Sequence, residues 1–439
     1  MAFLTTSDKA LWRLALPMIF SNITVPLLGL VDTAVIGHLD SPVYLGGVAV
    51  GAMATSFLFM LLLFLRMSTT GFTAQAFGAK DPHALARALV QPLLLALIAG
   101  FAIILCQTPL INLTLHIVGG NDAVLEQARR FLEIRWLSAP ASLANLVLLG
   151  WLLGIQYARA PVVLLVVGNV LNIVLDLWLV MGLHMNVQGA ALATVIAEYA
   201  TFVVGLLMVQ RGLRRRGISL AMLKTAWRGN IRRLLALNRD IMLRSLLLQL
   251  CFGSITVMGA RLGGDIVAVN AVLMTLLTFT AYALDGFAYA VEAHSGQAYG
   301  ARDGSQLLSV WQAACRQSGI VALAFALVYA LAGEQIISLL TSLPDLQRLA
   351  GHYLGWQVIL PIVGVWCYLL DGMFIGATRG TEMRNSMAIA AAGFALTLLT
   401  VPLLGNHGLW LSLTVFLALR GITLAWIWQR HWRHGTWFS

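Results

Sequence analysis

A few oxygen-bearing side chains stand in this sequence where only hydrocarbon contacts would be expected. Asp32 interrupts the apolar run from Leu11 to Leu39. In a later run, Asn169, Asn172 and Asp176 recur at i, i+3 and i+7, which puts them on one helix face. Thr194 and Glu198 follow at i and i+4 on the next apolar stretch. The turn between those two stretches, near 186–189, is short, and spans joined so closely pack side by side. Burying a carboxylate in lipid is expensive, so such acids mark functional sites and need partners. Two carboxylates, an amide and a hydroxyl would suit a hard monovalent cation or a shared proton. A plainer role is interhelical hydrogen bonding at ~0.6 kcal/mol per bond, for which Ser or Asn would serve as well as a carboxylate. The plainer role for Asp32 is to cap its helix beside the polar Asp40-Ser41-Pro42 loop.

Pro17 and Pro26 lie in the same run as Asp32. Each removes a backbone donor and clashes with the preceding turn, so a helix that bends beside a titratable group is expected. Further along, Tyr282, Asp285, Tyr289 and Glu292 share a helix face, and Asp371 follows Tyr368 by three. Acids beside aromatic rings can hold a bulky cation by charge and cation–π attraction. Alternatively, Glu292 sits near the cytoplasmic end with His294, and Asp371 pairs with a neighbour such as Arg379. Met53, Phe57, Met60, Phe64 and Met67 form a stripe of the kind that lines adaptable pockets or simply packs. Met53, Met60, Tyr282, Asp285, Tyr289 and Asp371 are therefore the candidates for a substrate cavity. Arg66 and Arg420 read as snorkelling or paired.

The elements that must position these residues follow from composition. The chain has 439 residues, of which 59% are hydrophobic and 10% charged, far from the soluble average of roughly a quarter charged. That balance predicts an all-α polytopic membrane protein. A bilayer core of ~30 Å takes ~20 apolar residues per helix. On that measure about twelve spans are expected, near 11–37, 43–70, 86–111, 126–153, 160–183, 188–210, 241–262, 266–299, 306–333, 350–375, 385–403 and 408–429. The net charge of +10 is distributed by side. Lys9, Lys80, Arg159, Arg302, Arg379, Arg430 and the cluster from Arg211 to Arg239 fall at one set of ends, whereas the loops near 38–43, 112–123, 182–188 and 404–408 hold no Lys or Arg. This is the positive-inside pattern. It places both termini in the cytoplasm, with anionic membrane lipids rather than nucleic acid as the partners of the charge. The N-terminus shows no small-residue cleavage site, so no removable signal peptide is expected. Cys106, Cys251, Cys315 and Cys367 are scattered singly, with no metal or disulfide spacing. No cofactor is expected.

An internal repeat orders the spans. Gln75-Ala76-Phe77-Gly78-Ala79-Lys80-Asp81 reappears as Gln297-Ala298-Tyr299-Gly300-Ala301-Arg302-Asp303, a displacement of 222 residues. Gly150 and Gly154 correspond in the same way to Gly372 and Gly376. The expected organisation is a six-helix bundle over 1–212, a basic cytoplasmic linker over 213–240 and a second six-helix bundle over 241–439. An even span count makes the repeats parallel, flanking a central cleft. The polar cluster is not repeated: Ser254, Phe394 and Leu398 stand at the counterparts of Asp32, Asn172 and Asp176.

No phosphate-binding loop and no paired catalytic motif is present, which argues against an ATP-driven pump or a membrane enzyme. A flippase for anionic lipid-linked precursors would want several cavity Arg or Lys, whereas the intramembrane charges read as mostly acidic and favour cationic or neutral cargo. Asp32 in Asp32-Thr33-Ala34-Val35-Ile36-Gly37-His38-Leu39, Pro17 ahead of it, Asn172, Asp176 and Thr194 together resemble the multidrug and toxic compound extrusion (MATE) transporters. Asp371-Gly372-Met373-Phe374-Ile375-Gly376-Ala377-Thr378-Arg379 is similar to the DinF-like branch. The acidic residue of the NorM-like branch in span seven is not found between Ile241 and Arg261. The resemblance implies a cation-coupled antiporter that expels lipophilic or cationic compounds from the cytoplasm, expected here as a monomer of the bacterial inner membrane exchanging H⁺, for which two coupled carboxylates suffice, with Na⁺ as the alternative. It also implies that Asp32, Asn172, Asp176 and Thr194 hold the coupling cation, and that protonation of Asp32 bends the first helix.

Overall fold

A computed structural model describes residues 6–37 and 42–438, without the side chains of 24–34 and 37. Its secondary structure is helical throughout the described residues. The helices are α1 (Thr6–Gly37), α2 (Pro42–Leu61), α3 (Phe64–Gly78), α4 (Pro82–Leu105), α5 (Gln107–Val118), α6 (Asp122–Arg135), α7 (Ala139–Gly154), α8 (Ala160–Asp176) and α9 (Asn186–Arg215). After the short α10 (Leu220–Thr225) come α11 (Arg232–Leu262), α12 (Gly264–Ala301), α13 (Gly304–Leu340), α14 (Pro344–Gly376), α15 (Gly380–Thr397), α16 (Val401–Leu404) and α17 (Asn406–Arg433). Among the described residues, 11 helical stretches are long and apolar enough to cross a membrane, with mean hydropathies from 1.5 to 2.5.

Four expected spans are divided: 126–153 between α6 and α7 and 385–403 between α15 and α16, each through a 3₁₀ turn (Trp136–Ser138 and Leu398–Thr400), and two more by a break in the helix. The 43–70 stretch divides at Leu62–Leu63 into α2 and α3, and the 86–111 stretch ends at Leu105 before α5 begins. Pro109 explains the second break, because its ring would clash with the Leu105 carbonyl and it has no N–H to donate to it. The stretch read as a linker, 213–240, contains the end of α9, all of α10 and the start of α11.

The chain divides into two compact units, residues 23–234 and residues 1–22 with 235–439. Within the first, α7 is the central helix, packed by α3, α4 and α9. Its apolar window is 78% buried, and α14 of the second unit reaches 67%, against 22–44% for the other spans. The repeated glycines explain how these central helices are placed. A Cβ on Gly150 would stand 2.6 Å from the Arg66 carbonyl oxygen, and one on Gly372 would stand 2.5 Å from that of Ala288. Gly154 meets Thr73 at 2.6 Å and Gly376 meets Ser295 Oγ at 2.6 Å in the same manner. Each pair of contacts is thus the same backbone crossing, α7 on α3 in one unit and α14 on α12 in the other, and only glycine permits it.

The repeated heptapeptide is a turn. Lys80 (φ 55°) and Arg302 (φ 52°) take the left-handed conformation that ends a helix. Their successors Asp81 and Asp303 donate back to the carbonyls of Ala76 and Ala298 (3.2 and 3.0 Å). Asp81 Oδ1 then accepts from the His83 N–H, and Asp303 Oδ1 from the Gln306 N–H, both at 3.1 Å, capping the next helix.

In the second unit the start of α1 is bolted to α12 and α13. The fully buried Asp8 carboxylate accepts two hydrogen bonds from Arg316 Nη2 (2.9 and 3.0 Å). Trp12 Nε1 donates to Gln317 Oε1 (2.6 Å), and its ring meets Phe287 edge-on at 5.2 Å. Asn22 Nδ2 donates to the Tyr282 carbonyl (3.2 Å). Pro17 therefore belongs to the fastened part of α1.

Candidate functional site

In the first unit, α8 and α9 bring together three of the sequence-selected residues. Asn172 and Asp176 are buried (2% and 1% exposed), and Asn172 Nδ2 donates to Thr194 Oγ1 at 3.4 Å. That hydroxyl in turn donates to the Ala190 carbonyl (3.2 Å), so its lone pairs remain directed at Asn172. Asn172 Oδ1 is buried with no donor among the described residues. An amide oxygen in that position can ligate a cation or accept from a protonated acid. Immediately after Asp176 the helix widens into a π-helical stretch, Leu177–Gly182. Such widenings recur at functional sites because they re-aim side chains within one turn. One helical turn beyond Thr194, Glu198 Oε2 accepts from Asn145 Nδ2 (3.0 Å), which ties α9 to α7. The backbone of Asp32 lies on α1. The side chains of Asp32 and Pro26 lie outside the described residues.

In the second unit the acids are organised differently from the sequence expectation. Asp371 on α14 is 7% exposed and does not pair with Arg379. Its Oδ2 accepts from Arg244 Nη2 of α11 at 2.5 Å and from Arg420 Nη2 of α17. Arg379 instead reaches Glu382 (3.2 Å) and the carbonyls of Thr436 and Trp437 (3.0 and 2.7 Å). Arg244 escaped the sequence reading. It sits four residues into an apolar run, where a lone basic side chain looks like a headgroup contact, and 127 residues separate it from Asp371. Arg66, Arg244 and Arg420 are all buried (3%, 7% and 4% exposed) alongside the buried acids Asp8, Asp176, Asp240, Glu292 and Asp371, so the buried charge is of both signs with acids in the majority.

Asp285 on α12 is half-buried and feels the charges of Arg420, Asp371, Glu292 and Arg244. Tyr282 and Tyr289 flank it, also half-buried, while Glu292 is buried. Met53 and Met60 are exposed on α2 (57% and 44%), whereas Met67 of the same stripe is packed inside. Among the described residues no cluster of His, Cys, Asp and Glu has metal-site geometry.

Comparison with known proteins agrees with this architecture. The MatE family pattern matches residues 17–178 and again 241–404, one match to each half. The chain is 85% identical to DNA damage-inducible protein F of Escherichia coli K12, over 100% of this chain and 96% of that one. It is 26% identical to a protein of Pseudomonas putida called "Probable multidrug resistance protein NorM", over 96% and 94% of the two chains. Two solved structures, described as MATE in the straight and in the bent conformation, share its fold with TM-scores of 0.85 and 0.83 at 22% identity. Each covers 97% of this chain, which in turn covers 96% and 98% of theirs. With both halves matched and an 85% identical relative aligned from end to end, this chain belongs to the MatE family of multi-pass membrane transporters.

Proposed function

We propose that this transporter is a secondary multidrug antiporter of the bacterial inner membrane, with both termini cytoplasmic, exporting lipophilic or cationic compounds in exchange for H⁺. The observation that carries the coupling site is the buried Asn172–Thr194 pair beside Asp176, with Asn172 Oδ1 left without a donor. Such a group has no evident packing value, since an unsatisfied buried acceptor costs about 1–3 kcal/mol. In this reading Asp32 and Asp176 exchange the coupling ion, Asn172 and Thr194 orient them, and α1 bends at Pro26, with Pro17 holding the kink within the fastened part behind it. In the second unit the half-buried face of Tyr282, Asp285 and Tyr289 offers the cargo charge and aromatic rings, and in the first unit Met53 and Met60 offer adaptable apolar contacts. Asp371 belongs to that region as an ionic anchor, its charge already met by two guanidiniums.

Na⁺ is the second reading, favoured by the same Asn172 Oδ1, because a metal ion would take an amide and a hydroxyl oxygen that a proton does not need. Inside-out vesicles with an imposed pH gradient, assayed with and without sodium, separate the two. For Asp32→Asn the expected result is loss of gradient-driven dye efflux with normal insertion. Full coupled transport by that variant removes Asp32 from the mechanism.

A further inference from the structure

We infer that the last turns of α17 form a binding site for the phosphate of an anionic membrane phospholipid. After α17 the tail folds back on its own unit. Arg379 donates to the carbonyls of Thr436 and Trp437 and stacks on the Trp437 ring (4.9 Å to its centre). That ring is 1% exposed and meets Phe374 edge-on at 5.1 Å. The fold-back borders a half-open recess of about 480 Å³ lined by Glu382, Trp426, Ile427, Arg430, His431, His434 and Thr436.

The charges around this cavity do not cancel. Glu382 Oε1 accepts from Arg379 (3.2 Å) and meets His431 Nε2 (2.8 Å), while its buried Oε2 has no hydrogen-bond partner among the described residues, so Arg379 already balances this acid. Arg430 has no carboxylate within ion-pair distance among the described residues and rests only against the Trp426 ring, 5.6 Å from its centre. His434 lines the same cavity. Surplus positive charge in a walled recess calls for an anion, and a guanidinium fork suits phosphate oxygens.

The occupant's other half is set by the helix. Ile422, Trp426, Arg430 and His434 follow one another at intervals of four, so they run along one face. Ile422 and Trp426 are 63% and 61% exposed, and they point to an acyl chain beside the first and the interfacial glycerol region beside the second. Arg430 and His434 then lie at headgroup depth. Apolar, aromatic and cationic groups in that order match a phospholipid read from chain to phosphate. Free phosphate would use only the last part of the stripe. A basic residue in the last turn also complements the helix dipole, but that needs neither a cavity nor an exposed aromatic beside it.

The test uses the full-length protein purified in detergent, with phosphatidylglycerol, phosphatidylcholine and inorganic phosphate as probes, read by lipid retention in native mass spectrometry and by thermal unfolding. Phosphatidylglycerol is expected to be retained at about one molecule per chain. Arg430→Gln with His434→Gln should weaken it by at least about five-fold, the share of the one guanidinium charge removed, while both proteins unfold alike without lipid, since the two side chains are exposed. Arg214→Gln with Arg215→Gln, on α9 of the other unit, should leave retention unchanged. Equal weakening by the α9 variant would show diffuse attraction and overturn the site. Equal retention of phosphatidylcholine, or displacement of lipid by inorganic phosphate, would overturn the anionic lipid as its occupant.

Discussion

Replacing Asp371 with Asn tests whether the second unit uses this acid for cargo or for its own cohesion. The substitution keeps volume and shape but leaves Arg244 and Arg420, 7% and 4% exposed, facing each other without the carboxylate that both contact. Removing one member of a buried ion pair costs about 3–5 kcal/mol. Glu292 and Asp285 remain in the same electrostatic neighbourhood and soften the loss, so the lower figure, about 3 kcal/mol, applies. For a body of this size that corresponds to a fall of about 6–12 °C in the unfolding midpoint, at ~2–4 °C per kcal/mol. The assay is thermal unfolding of the purified protein in detergent, with efflux measured in parallel. Arg420→Met alone should cost less, since Arg244 still meets Asp371, and Asp371→Asn combined with Arg420→Met should recover part of the loss through a positive coupling energy. A midpoint unchanged by Asp371→Asn, with efflux abolished, would refute the anchoring role and return Asp371 to the cargo site.

Gly372→Ala is expected to destabilise by about 1–3 kcal/mol, because the new Cβ would lie 2.5 Å from a backbone oxygen that cannot rotate away. Gly319→Ala, where nothing lies within 4 Å, should stabilise α13 by about 0.5–1 kcal/mol. The same unfolding assay reads both, and a Gly372→Ala midpoint at or above that of the parent would show that the crossing is loose. Asn172→Ala should leave stability unchanged or slightly raised, since the hydrogen bond lost to Thr194 is worth only ~0.6 kcal/mol and a buried unsatisfied acceptor costing about 1–3 kcal/mol goes with it, yet it should cut gradient-driven efflux at least several-fold. Full efflux by Asn172→Ala would detach the amide from coupling.

Composition alone determined that the chain is a bundle of membrane helices, because burial in lipid needs long apolar runs that nothing else in the sequence can imitate. The duplication was equally legible, since the Gln75 and Gln297 motifs and the paired glycines are local signals with local causes: a left-handed helix end, an Asp cap and a backbone crossing. Asn172, Asp176 and Thr194 could be grouped from helical spacing and a short turn. What spacing could not supply was the partner of Asp371. Arg244 and Arg420 lie 127 and 49 residues away on other helices, and the nearby Arg379, which sequence proximity favours, is occupied elsewhere. Only packing in three dimensions chooses among arginines that look alike along the chain, because Coulomb attraction depends on distance in space and on exclusion of water, neither of which is written in sequence order. The fastening of α1 through Asp8 and Arg316 was hidden for the same reason, 308 residues apart.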